Sequence, residues 1–238
     1  MKRLIMILVL FASLNLFAEE DMSTYLMNAQ KLVQEGKNEE ALKRFVWLYN
    51  HSLEQDPAFS AVRLSYLLGY WVELGAQYPP ALNALQEIRD RETELIKNGK
   101  GNSNIFDEVI SINKYLLEDE RSIALFEFMD KKYPVLAQSS WVFIRAKIIA
   151  AKKFDLARKY MPDLMKEFRR AVFSYKRNVL YYETYSASFK EFNESSFIDE
   201  VLGLIAVAEA SGDKKTANRI RIEAFEILPS PRLKQPLK

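Results

Sequence analysis

The chain has 238 residues, 34 basic and 32 acidic side chains, 49% hydrophobic residues, one histidine and no cysteine. Those counts exclude disulfides, thiolate chemistry and the common zinc sites, and they leave a Ser-His-Asp arrangement only His51 to be built on. What remains fits one globular or helical-repeat domain with a sizeable core.

The first stretch stands apart. Lys2 and Arg3 precede an apolar run from Leu4 to Phe17, followed by Ala18 and the acidic Glu19-Glu20-Asp21. A positive start, a short apolar run and a small residue predict a secretory signal peptide over 1–18. The run is interrupted by Ser13 and Asn15 and is shorter than the roughly 20 residues that span a bilayer, so no stable membrane insertion is expected after cleavage. Losing Lys2 and Arg3 leaves 32 basic against 32 acidic side chains. A net charge of zero gives no reason to expect nucleic acid or an anionic membrane as partner. Export without cysteine suits a bacterial periplasm.

The mature chain opens on a helix, with Tyr25, Leu26, Ala29, Leu32 and Val33 at helical spacing. Gly36 stops it where a helix end needs a positive φ. Asn38 is placed to cap the next helix, with Glu39 and Glu40 in its first turn against the positive dipole end. Ala41 is small where two antiparallel helices must approach, and Leu42, Phe45 and Leu48 continue a buried stripe. Further along, Gly75, Gly99, Gly101 and Gly212 separate apolar-periodic segments. Pro57 and Pro79-Pro80 fall at helix starts, Pro134 divides two segments, and Pro162 restarts a helix. No alternating run flanked by hairpin turns occurs, so the chain reads as all-α. The joint around Gly36 recurs, with Ala41, Ala81, Ala124, Ala157 and Ala217 in comparable places at intervals of 40, 43, 33 and 60. A hairpin with one greasy face cannot stand alone, which predicts stacked hairpins.

These joints resemble the tetratricopeptide repeat family. In the first unit Tyr25, Leu32, Gly36, Ala41 and Phe45 fall where that family places aromatic, large, turn, small and aromatic residues. Leu68-Gly69, Ala81 and Leu85 carry the likeness in the second, Trp141 and Ala157 in the fourth, and Leu204, Ala208, Gly212, Ala217, Ala224 and Pro229 in the last. The third, around Tyr115, Ala124 and Phe128, matches poorly. The resemblance implies an α-α superhelix of about five hairpins over 19–228, with 163–195 as a non-repeat helical insertion and 229–238 as a flexible tail.

No constellation in the sequence carries an evident reaction. Glu118-Asp119-Glu120 and Asp107-Glu108 read as acidic helix starts. Glu194-Ser195 is similar to the catalytic Glu-Ser pair of soluble lytic transglycosylases, but Ser196-Phe197-Ile198-Asp199 lacks that family's downstream glycine and glutamine pattern, and Ser195 or Ser196 would serve as a helix cap. A non-enzymatic scaffold is the expected function, with no cofactor and no metal. The alternatives are a transglycosylase-like enzyme and a hydrophobic-ligand carrier.

In the family's register the concave positions are Gln30 and Gln34 in the first unit, Arg63, Tyr66, Tyr70 and Glu73 in the second, and Asn113 in the third. The spacing of Arg63, Tyr66, Tyr70 and Glu73 puts them on one helical face, a groove for a protein or peptide partner. Losing Arg63 and Tyr70 together should then weaken capture without unfolding the chain. Members that grip a terminal carboxylate do so with Lys and Asn, whereas Leu26, Gln30, Tyr66 and Tyr70 stand here, so an acidic C-terminus is not the expected ligand. Later units offer the apolar Val142, Ala146, Ile149, Leu202 and Ala206. The aromatics of 163–195, including Phe168, Phe173, Tyr175, Tyr181, Tyr185 and Phe192, either pack on the repeats or form a surface of their own.

Overall fold

A computed structural model describes residues 21–182 and 186–234. The expected signal segment 1–18, together with Tyr185 and Pro236, lies outside them. Every regular element among the described residues is helical: α1 (Met22–Gln34), α2 (Asn38–Gln55), a 3-10 turn (Pro57–Phe59), α3 (Ser60–Arg63), α4 (Tyr66–Gln77), α5 (Pro79–Lys97), α6 (Ser103–Tyr115), α7 (Asp119–Lys132), α8 (Pro134–Ala150), α9 (Phe154–Tyr160), α10 (Leu164–Val179), α11 (Ala187–Ala210), α12 (Lys214–Ile227) and α13 (Pro231–Lys234). The prolines sit as the sequence predicts, with Pro57, Pro79 and Pro134 opening helices where a missing N–H leaves no bond unmade. The described residues divide into two compact units, one up to residue 85 and the other from residue 86.

In the first unit α1 packs along α2, and Leu26, Ala29, Phe45 and Leu48 are buried between them. Trp71 on α4 is fully buried and meets the rings of Phe45 at 6.0 Å and Tyr49 at 6.2 Å. Its indole N–H donates to the Ala81 carbonyl at 2.8 Å, satisfying the ring's one polar atom. Gly75 lets α4 and α5 close up: a Cβ there would lie 2.4 Å from Leu82 Cγ. In the second unit one core runs from Ile96 to Leu233.

Gly36, Leu117, Lys152 and Gly212 mark four joints of one geometry, with φ of 74°, 60°, 56° and 76°; Gly99, with φ 71°, closes α5 by the same turn but is followed five residues on by the exposed Asn104. At each joint two backbone N–H groups turn back onto the preceding helix. At the first, Gly36 N donates to Val33 O at 3.1 Å and Lys37 N to Leu32 O at 2.9 Å. At the second, Leu117 N donates to Lys114 O at 3.2 Å and Glu118 N to Asn113 O at 2.8 Å. This paired closure satisfies the carbonyls a helix end leaves open. Five residues beyond each of these four stands a small, buried one: Ala41, Ser122, Ala157 and Ala217. The third joint therefore centres on Ser122; Ala124, expected in that role, is exposed. The turn is set by Leu117 in place of the glycine that would mark it.

Several boundaries differ from expectation. Asn38 is the first residue of α2, while Lys37 stands at the cap without a side-chain bond. Asp107 and Glu108 lie in the second turn of α6, capped by Asn102; burial, with Glu108 adding to it, holds the Asp107 carboxyl above its ordinary range. Glu194, Ser195 and Ser196 are mid-helix in α11, so neither serine caps it. The described residues of 163–195 include α10, capped by Asp163, and the start of α11, and the last helical pair begins at Ala187. Residues 231–234 of the expected flexible tail form α13, which packs on α11 and α12 with Leu233 buried.

Candidate binding groove

The residues expected to line a concave face separate into two groups. Arg63 ends α3, and the chain turns at Leu64 and Ser65 before Tyr66 opens α4, so one continuous helical register does not run through Arg63, Tyr66, Tyr70 and Glu73. Arg63 is buried: its Nε donates to the Tyr49 carbonyl at 2.7 Å and its guanidinium lies 3.9 Å from the centre of the Tyr49 ring. It ties α3 to α2. Asn113 is also buried, donating to Ser122 Oγ at 3.1 Å and accepting from Arg89 at 3.2 Å, and so braces the α6–α7 joint. Gln34, Tyr66 and Glu73 are exposed, and Gln30 and Tyr70 are half-buried. The Tyr66 and Tyr70 rings lie 6.4 Å apart.

An apolar recess lies in the second unit, between α8 and α11. Ala146 and Ala150 are one turn apart on α8, and Gly203 lines the same recess from α11, close enough to Ile149 that an added Cβ would lie 3.2 Å from its Cγ2. Three small residues on facing helices leave a trough of about 450 Å³ floored by Ile149, Met161 and Leu204. Its upper walls include the exposed Ala146, Ala150, Ser196 and Asp199, so it opens to solvent. At one end Arg145 donates to Glu200 at 2.6 Å and lies 3.9 Å from Glu167. Glu167 also accepts from Arg170 at 3.0 Å.

Arg145 is shared with a second, more polar hollow of about 520 Å³ over Trp141 and Tyr160, rimmed by Lys159, Lys166 and Arg170. Those two rings stack at 5.0 Å and 15°. The Tyr160 hydroxyl donates to Asp130, which also accepts from Lys159 at 2.6 Å. Burial, followed by that carboxylate, pushes the Tyr160 phenol well above its ordinary range. Burial opposes the charge on Asp130, but the Lys159 and Tyr160 hydrogen bonds outweigh it and hold the carboxyl below its ordinary value.

No family model, curated protein or solved structure matches the chain. Its functional reading therefore stands on its own residues.

Of the apolar positions read from the sequence, Ala146 and Ile149 line the trough, Val142 lines the polar hollow and is 61% exposed, and Leu202 and Ala206 are half-buried on α11. Sequence reasoning missed Gly203, Arg145 and Glu200. The available signal was Gly203 inside a helical run, where glycine is costly unless something comes close. Glu194, the candidate acid, lies on α11 with its carboxylate 3.9 Å from Lys190, in a shallow cleft with Glu191, Ser195 and the 228–232 turn. His51 is exposed, 3.5 Å from Glu54. Among the described residues no group of three or more His, Cys, Asp and Glu is placed to hold a metal, and no helix is long and apolar enough to cross a membrane.

Proposed function

We propose that the chain is an exported, non-enzymatic scaffold of tetratricopeptide-like hairpins that binds a protein or peptide partner. The trough between α8 and α11 is the observation that carries this reading: apolar, open along one side, and ended by charged side chains. That is how a groove accepting a side chain from a partner backbone is built, with apolar area for affinity and few polar groups for orientation. The recurring joint supports the repeat reading, because the same turn, with a small buried residue five positions on, appears at Gly36, Leu117, Lys152 and Gly212. The partner engages Ala146, Ile149 and Gly203 through an apolar side chain, with the Arg145–Glu200 pair at the end of its path.

The test uses residues 19–238 as bait on the native envelope, beside the same chain carrying Ala146→Leu. Ala146 is exposed, so the added side chain fills the trough without disturbing the core. A protein retained by the wild type and lost with Ala146→Leu supports the reading. An identical set retained by both removes the trough as the binding site.

A further inference from the structure

The near-neutral net charge of +2 conceals a concentrated face. On α10, Lys166, Arg169, Arg170, Phe173, Lys176 and Arg177 follow one another at i, i+3, i+4, i+7, i+10 and i+11, and all are exposed. That spacing is one side of a helix. The opposite side, Leu164, Phe168, Ala171 and Tyr175, is buried in the core. The one acid of α10, Glu167, is turned toward Arg145 and Arg170. Arg169 lies 3.8 Å from Asp163 and Arg170 lies 3.0 Å from Glu167. Lys166, Lys176 and Arg177 have no carboxylate within ion-pair distance among the described residues, so the stripe carries uncompensated positive charge.

Large apolar side chains stand among these cations. Phe173 is 69% exposed in the middle of the stripe and Leu180 is 78% exposed at its end. Phe192 on α11 is 69% exposed, and its neighbour Asn193 bonds Asn178 at 2.9 Å and Tyr182 at 2.8 Å, which places Phe192 level with the end of α10. A polyanion would reward the cations and leave the leucine in water. A folded protein partner would need a separate pocket for each protruding side chain. A bilayer interface takes both, since headgroup charge meets Lys and Arg while single apolar side chains enter the acyl boundary without a matching cavity.

We propose that the exposed face of α10, with Leu180 and Phe192 at its end, docks the protein peripherally on an anionic phospholipid surface. This is independent of the trough, and the test below leaves Ala146 and Gly203 untouched.

The experiment is vesicle flotation of residues 19–238 with phosphatidylcholine vesicles, with and without about 30% phosphatidylglycerol, which supplies the negative surface potential. The protein should float only with the anionic vesicles and be released at about 0.5 M salt, where screening collapses the attraction. Lys176→Glu with Arg177→Glu should weaken partition by about 30-fold or more, from roughly 1 kcal/mol per cation near such a surface. Phe173→Ser with Leu180→Ser should also weaken it, at an unchanged melting temperature because both are exposed. Flotation indifferent to anionic lipid overturns the proposal. So does a serine pair that binds like wild type while the charge reversal abolishes binding, the outcome expected of a soluble polyanion ligand.

Discussion

Leu117 and Lys152 hold a backbone conformation that side chains resist, and the two joints depend on them. Leu117 is 91% exposed and makes no packing to offset the strain. Leu117→Gly should raise stability by about 0.5–1 kcal/mol in urea unfolding, the steric relief outweighing the extra freedom glycine gains in the unfolded chain. Gly36→Ala should cost about 1 kcal/mol, and backbone strain alone would be responsible, since an added Cβ meets nothing within 4 Å. At Asp130 the carboxyl is held below its ordinary 3.8, so it binds its proton less readily folded than unfolded. The stability it contributes is complete above that ordinary value and is lost as pH falls through the lowered one. Asp130→Asn should therefore flatten the acid limb of a melting-temperature profile below about pH 4, and Tyr160→Phe should flatten it in part.

Among the elements, α3 and α13 bear structural weight that periodicity does not show. The Arg63 guanidinium bonds the Tyr49 carbonyl from a buried position, so Arg63→Ala should destabilise the chain by about 1.5–3 kcal/mol, the range for hydrogen bonds to charged groups. The sequence-based expectation that Arg63 and Tyr70 could be lost together without unfolding placed Arg63 in an open groove, whereas it is buried. Leu233 brings α13 into the core at 1% exposure, and Leu233→Ala should cost about 2–4 kcal/mol in the same assay. Helix starts at prolines and helix stops at Gly36 and Gly212 were readable because those residues act locally. The joints at Leu117 and Lys152 were not, because neither residue type announces a positive φ. Arg63 was misread for a related reason: a two-residue break between α3 and α4 leaves no mark on an i, i+3, i+7 pattern, so a buried tie looked like one face of a groove. The trough was half legible, through Ala146 and Ile149. Its other wall depends on Gly203, whose role exists only once α8 and α11 are side by side.

For the whole molecule, composition misled on one point. Near-equal numbers of bases and acids, 34 and 32, exclude a strong overall field, yet α10 gathers five cations on one exposed face, and among the described residues only Arg169 and Arg170 of these have a carboxylate beside them. Charge summed along a chain says little about charge on a surface. The central claim is that a partner is received in the trough between α8 and α11. Site-specific photo-crosslinking in the native envelope tests it most directly, with the photoreactive residue at Ala146 and, as a control, at Tyr66. The account predicts a discrete adduct from position 146, absent from position 66 and lost when Gly203→Leu narrows the trough in a chain that still melts cooperatively. An adduct from position 66 with none from 146 would contradict it.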